Sequence, residues 1–229
     1  MAEIKIRPAL TTDLHQIVVL DLVANAQHPI IAIPWKSYSD LYGVFLSRYL
    51  NFLNYPKKFQ FLVATIPSNS TTVDDPWGGK VEVEEVVGYL VGATPKAKSG
   101  KGDGKGGEGG EEWNPVLPEG TNMKLFTYFL GGLTEDKKKY KKDDHWELEG
   151  LSISANHQRK GIGARMLGQW LKEIDEDGRG VYIFASKKGR RLYEKLGAKE
   201  VGILDTELGD FGVSVPHRNF HMVREGKGA

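Results

Sequence analysis

The residues best placed to do chemistry lie in one run, Leu148 to Ala164, which reads LEGLSISANHQRKGIGA. Leu148, Leu151 and Ile153 are apolar positions of a strand, with Glu147 and Glu149 beside them. Beyond Gly163 the apolar residues change to steps of three and four, at Met166, Leu167, Trp170, Leu171 and Ile174, which is helical spacing. The first N–H groups of a helix have no intrahelical partners, and the helix dipole adds partial positive charge there. Gly161 and Gly163 have no Cβ, so an anion can come close to those groups, and Arg159 and Lys160 bring cationic donors. The chemistry implied is the binding of a pyrophosphate.

Two common cradles fail on spacing. A dinucleotide fingerprint needs a third glycine three residues after the second, where this chain has Met166. A nucleotide-triphosphatase loop needs Gly-Lys-Ser/Thr after a glycine and its spacer, and no glycine–lysine pair here satisfies it. What remains, Gln-x-x-Gly-x-Gly after Leu-x-x-Leu-x-Ile-x-Ala, resembles the GNAT superfamily of acetyl-CoA-dependent N-acetyltransferases. That family's signature, Gln/Arg-x-x-Gly-x-Gly/Ala, is matched at Gln158, Gly161 and Gly163, while Ala155 stands where many members have proline. A second block follows the helix. Val181 to Ala185 reads as a buried strand leading into Ser186–Ala198. The family commonly has Asn-x-x-Ala-x-x-Leu-Tyr-x-x-Leu-Gly-Phe here. This chain keeps Leu192, Tyr193, Leu196 and Gly197 and departs at Ser186, Gly189 and Ala198.

The resemblance implies one α/β (α+β) domain over residues 1–229, with a mixed, mostly antiparallel twisted sheet of six or seven strands flanked by helices. The sheet should splay at the acetyl-CoA site. The implied reaction is direct transfer of acetyl from acetyl-CoA to a primary amine, here of a small molecule. A protein lysine or N-terminal acetyltransferase, or a non-catalytic acyl-CoA-binding module, are the alternatives. The resemblance assigns pantetheine to the backbone of Leu151, Ser152 and Ile153. It assigns the pyrophosphate to Gln158, Arg159, Lys160, Gly161, Ile162, Gly163 and Ala164, and adds Ser186 and Gly189 to the coenzyme site. Tyr193 occupies the general-acid position, and a phenol of pKa ~10 is protonated at neutral pH. An alkyl amine of pKa ~10.4 must first lose a proton, so a base is needed. Glu147 is the first choice. Glu149, two residues on, shares its strand face and is not separated from it by spacing; His145, His217 and His221 are weaker candidates. The acceptor walls map to His28–Tyr38, apolar and aromatic, and to Asp205–His217, which carries Asp205, Glu207 and Asp210. An apolar wall with acidic residues suits a small amine with a hydrophobic body.

Composition agrees with this. With 31 basic and 30 acidic residues the net charge is +1, so no global field draws the chain to nucleic acid or a membrane surface. The absence of cysteine excludes disulfides and thiolate metal sites and suits a reducing compartment. We expect a cytoplasmic monomer or homodimer without a metal. No stretch approaches the ~18 apolar residues of a membrane span. Helices are expected from Thr11 and over Tyr38–Leu53, strands at Ile4–Ile6, Phe59–Thr65 and Val81–Ala93, and an irregular piece over His28–Trp35, where two prolines interrupt. The glycine-and-charge segment 96–112 reads as a disordered insertion. It belongs to a connection of roughly fifty residues where the family has a short turn, within which Met123, Leu125, Phe126, Phe129 and Leu130 have helical spacing. The run Lys137–Lys142 invites a nucleic-acid or nuclear-import reading, but its acidic flanks favour a solvated charged loop.

Overall fold

The alternation of apolar residues at each strand, and the stripes on each helix, build an open seven-stranded sheet in the order β1-β2-β3-β4-β5-β7-β6. The structure is a computed structural model that describes residues 3–26, 28–35, 38–74, 80–95 and 115–226. The expected disordered insertion, 96–112, lies outside the described residues. The strands are β1 (Lys5–Pro8), β2 (Phe59–Asp74), β3 (Lys80–Ala93), β4 (Trp146–Ile153), β5 (Val181–Ser186), β6 (Lys199–Thr206) and β7 (His217–Arg224). The helices are α1 (Leu14–Ala24), α2 (Pro29–Ala32), α3 (Tyr38–Asn54), α4 (Met123–Tyr140), α5 (Ile162–Asp177) and α6 (Arg190–Lys195). Every strand pair is antiparallel except β4–β5.

Two cores result, one on each face. Met166, Leu167, Trp170 and Ile174 of α5 pack on Leu90, Leu148 and Ile183, together with Tyr193 of α6. On the other face α1 and α3 bury Ile17, Val18, Leu41, Phe45 and Tyr49 against Phe61, Val63, Tyr89 and Val91. The piece read as irregular contains a short helix, because Pro29 occupies its first turn, where a missing N–H costs nothing.

The helix foreseen from Met123 extends further than its apolar residues. It begins at Asn122, whose side-chain oxygen accepts from the Leu125 N–H at 3.1 Å, and runs to Tyr140. The lysine run is therefore not a loop: its first residues form the last turn of α4. Lys137 and Lys141 each ion-pair with a different oxygen of Glu147, the latter at 2.9 Å. Lys138 pairs with Glu135 at 2.8 Å and Lys142 with Glu225 at 3.4 Å. Spacing could not show this, because Glu147 comes within reach only through the sheet.

α4 covers the β5–β7–β6 part of the sheet on the face opposite α5. Phe129 meets Phe184 and Tyr140 lies on His221, with ring centroids 6.3 and 4.9 Å apart. Tyr140 also lies over Gly202, where a side chain would collide with its ring. Gly202→Val is expected to undock the C-terminal end of α4 and cost about 1–3 kcal/mol, the usual range for overpacking. Urea unfolding would show it; an unchanged midpoint would mean that the helix end is not held there.

Candidate active site

The site begins where the central strands part. β5 pairs with β4 only over Trp146–Leu148, against Val181–Ile183. From Gly150 to Ile153, β4 keeps its partner β3 on one side and presents an open edge on the other. The parting coincides with a bulge. Leu148 faces Gly92 and Gly150 faces Val91, so Glu149 is the extra residue. The bulge reconciles a spacing that a regular strand cannot hold: Leu148 and Leu151, three apart, both pack on the α5 core.

At the end of the open edge the chain turns into α5. Gln158 donates through Nε2 to the Ile153 carbonyl at 3.1 Å, so its carboxamide ties the loop back to the strand. Arg159 and Gly161 both have positive φ, 60° and 81°, a conformation that favours glycine at the second position. Helix α5 then starts without a side-chain cap from the described residues. The first-turn N–H groups of Ile162, Gly163 and Ala164 are thus left for an external acceptor, with the exposed Arg159 and Lys160 alongside. This fits a pyrophosphate. A side chain at Gly161 would meet open space, as an anion cradle requires.

Tyr193 lies on the α5 side of the parting. It is buried in the same core as Leu148, its hydroxyl finds no hydrogen-bond partner among the described residues, and burial pushes its pKa up to about 12. The departure at Gly189 has a direct cause. A Cβ there would stand 2.9 Å from the Tyr193 ring, so glycine is what lets the ring sit as it does. Ser186 accepts from the Gly189 N–H through both its carbonyl and its hydroxyl, at 3.1 and 3.3 Å, which shapes the turn into α6.

Glu147 and Glu149 do share the opposite face, as alternation implied, yet their surroundings differ. Glu147 is buried, with a lysine on each oxygen. Glu149 is a quarter exposed and meets Arg48 of α3 at 3.3 Å through Oε2. Arg48 also donates to the Glu149 carbonyl at 3.2 Å, holding the bulge residue by main chain and side chain together. Sequence reading missed Arg48. Its signal was present: it falls on the apolar stripe of α3, between Phe45 and Phe52, where a guanidinium needs a buried partner. Asp21 braces the same region, accepting from Tyr49 and Tyr89 hydroxyls at 2.7 Å each and from Asn25 at 2.8 Å. Burial raises its pKa, and those hydroxyls oppose the rise.

The model of the acetyltransferase (GNAT) family matches residues 55–198. The chain belongs to that family. Among solved structures, this acetyltransferase resembles a Corynebacterium glutamicum protein named histone acetyltransferase HPA2 and related acetyltransferase, at 18% identity and a TM-score of 0.57, covering 100% of this chain and 99% of that one. The ribosomal-protein-S18-alanine N-acetyltransferase of Escherichia coli is 14% identical with a TM-score of 0.51, covering 99% and 96%. PaiA N-acetyltransferase of Thermoplasma acidophilum, in complex with coenzyme A, is 15% identical with a TM-score of 0.51, covering 97% and 99%. None of the curated proteins compared matches the chain.

The matched span leaves out both expected acceptor walls of the acetyltransferase. These walls do meet: the rings of His28 and His217 lie 4.2 Å apart, edge to face. The N-terminal end of α4 joins them, since Asn122 donates its N–H to the Pro34 carbonyl at 2.7 Å and Lys124 pairs with Asp210 at 2.9 Å. Two of the three expected acidic residues are occupied, Asp210 by Lys124 and Asp205 by a two-bond pair with Arg218 at 2.6 and 2.7 Å. The other histidines stand elsewhere. His145 lies by Gly180, before the paired start of β4, and His221 is fully buried between Tyr140 and Phe184, its Nδ1 2.7 Å from the Tyr182 hydroxyl. Among the described residues no group of three potential metal ligands occurs, and no helix is long and apolar enough to cross a membrane.

Proposed function

We propose that the protein transfers the acetyl group of acetyl-CoA directly to the primary amine of a small molecule. The observation that carries this reading is the open edge of β4, flanked by an uncapped, glycine-led helix and by Tyr193 and Glu149 from opposite faces. The backbone of Leu151, Ser152 and Ile153 offers amide groups to an extended chain, as an added strand would use them. An N–H there also stabilises the oxyanion that develops on the thioester carbonyl. The first turn of α5, from Ile162 to Ala164, takes the pyrophosphate, with Arg159 and Lys160 as charged donors. Gln158, Ser186 and Gly189 shape the two turns that border the coenzyme.

Glu149 accepts the amine proton, directly or through water. Tyr193 gives a proton to the departing thiolate as the C–S bond breaks. Glu147 is better read as the anchor of α4, because both its oxygens hold lysines. A small acceptor is favoured over a folded protein by α4, which bridges the two acceptor walls and so narrows the approach.

The first test is acetyl-CoA binding. An added Cβ at Gly163 would touch Leu192 and Ile153, so Gly163→Glu brings bulk and negative charge between the first turn of α5 and the end of β4 and should weaken acetyl-CoA affinity by at least about tenfold, through like-charge repulsion. Calorimetry with an unchanged dissociation constant in that variant would sink the placement.

A further inference from the structure

The acceptor side holds a group of basic side chains where acidic ones were expected. His28 precedes α2, His217 begins β7, and Lys188 lies in the turn between β5 and α6. The rings of His28 and His217 are in contact, with centroids 4.2 Å apart, and the Lys188 charge acts on His28. Two ring nitrogens there, His28 Nδ1 and His217 Nε2, are buried and have no hydrogen-bond partner among the described residues. Such atoms are costly to leave unpaired, which marks them as positions for a ligand to complete.

We infer that His28, His217 and Lys188 form an anion-receptive cluster that holds a carboxylate of the acceptor, so that the acceptor is a free amino acid rather than a simple amine. This rests on the acetyltransferase reading given above. A neutral imidazole carries one N–H and can place it on either nitrogen, so both unpartnered nitrogens can donate to carboxylate oxygens. The charges acting on His28 are His217 and Lys188, both cationic when protonated. Burial first, then those two neighbours, pulls the His28 pKa down to about 4, and burial lowers that of His217 as well. A carboxylate in their midst reverses the repulsion, whereas an ammonium adds to it.

Two acids of that wall are already paired. Asp205 is held by Arg218 and Asp210 by Lys124. The register of the sheet brings two members of the cluster to the same end, since Lys188 follows Ser186 by two residues. Asn219 faces Ser186 at the end of β5, and His217 stands two residues further along β7, roughly 7 Å at the rise of a strand.

The experiment uses the full chain with acetyl-CoA, a panel of free L-amino acids and the matching carboxamides. Release of CoA thiol and the ring resonances of the histidines are followed together. At least one amino acid should release thiol, its carboxamide should be poorer by about tenfold or more, and its binding should raise the His28 pKa from about 4. Lys188→Met and His217→Phe should each raise the KM for that amino acid by about 10- to 100-fold, the range of a lost hydrogen bond to a charged group. The KM for acetyl-CoA should stay within about twofold. Lys188 is exposed, so its variant does not depend on refolding of a core. A carboxamide used as well as its acid, or an amino acid KM unmoved by both variants, would overturn the inference while leaving the acetyltransferase reading in place. Amino acids that shift the histidine resonances without any thiol release would keep the anion site and sink that reading. If no amino acid moves either signal, the cluster is not a carboxylate site.

Discussion

Tyr193→Phe is expected to lower kcat by roughly 10²–10⁴-fold at neutral pH, the usual contribution of a positioned general acid. The ring fills the space beside Gly189 and the α5 core, and phenylalanine keeps that packing, so stability should change little. Acetyl-CoA affinity should remain within a few-fold, because the hydroxyl matters only when charge gathers on sulfur. The pH dependence follows from the direction of the shift. Burial holds the phenol pKa up at about 12, so the wild-type donor stays protonated across any ordinary assay range. The variant has no donor, and its thiolate leaves more readily as the pH climbs past the ordinary thiol pKa of ~8.5. The deficit should therefore shrink toward alkaline pH. The same shift has a sign for stability. A phenol that resists ionisation in the folded state favours folding fully below the unfolded pKa of ~10, and that contribution is lost as pH rises from ~10 through about 12. Unchanged kcat at pH 7 in Tyr193→Phe would reduce the tyrosine to a packing residue.

How far the sequence could be read depended on whether the determining contacts were local. The strand–turn–helix at residues 148–174 was legible because the apolar period changes from strand to helix within one run, and the glycines mark the turn. Both turn glycines and Tyr193 fall within the family-matched span. The open edge itself was implied by the resemblance, and the bulge that accompanies it was latent in the odd spacing of Leu148 and Leu151. Contacts across the sheet were another matter. Glu147 and Glu149 look alike in sequence, and only the approach of α4 and α3 distinguishes them, by two lysines on one and Arg48 on the other. Two of the acids expected at the acceptor walls have partners that the loop sequence does not show, for the same reason. Asp205 and Asp210 find basic partners 13 and 86 residues away, so composition of the loop did not give the charge of the site.

That difference between the glutamates leads to the second large effect. Glu149→Gln should lower kcat by about 10²-fold or more at neutral pH, since only about one alkyl amine in a thousand is unprotonated there and the carboxylate that would remove the proton is gone. As pH approaches ~10 the amine deprotonates in solution, so the deficit should fade, and glutamine keeps a carbonyl for Arg48 to hold. Glu147→Gln should behave differently. It leaves Lys137 and Lys141 facing a neutral group at a buried position, which should cost about 1–3 kcal/mol of stability after allowance for the partial exposure of Lys137. Its pH–rate profile should keep the wild-type shape, because an anchor for α4 does not exchange protons with the substrate. The two variants are compared by urea unfolding and by kcat from pH 6 to 10. If the pH-dependent loss appears in Glu147→Gln and not in Glu149→Gln, the base is the buried residue, and its lysines must leave it during turnover.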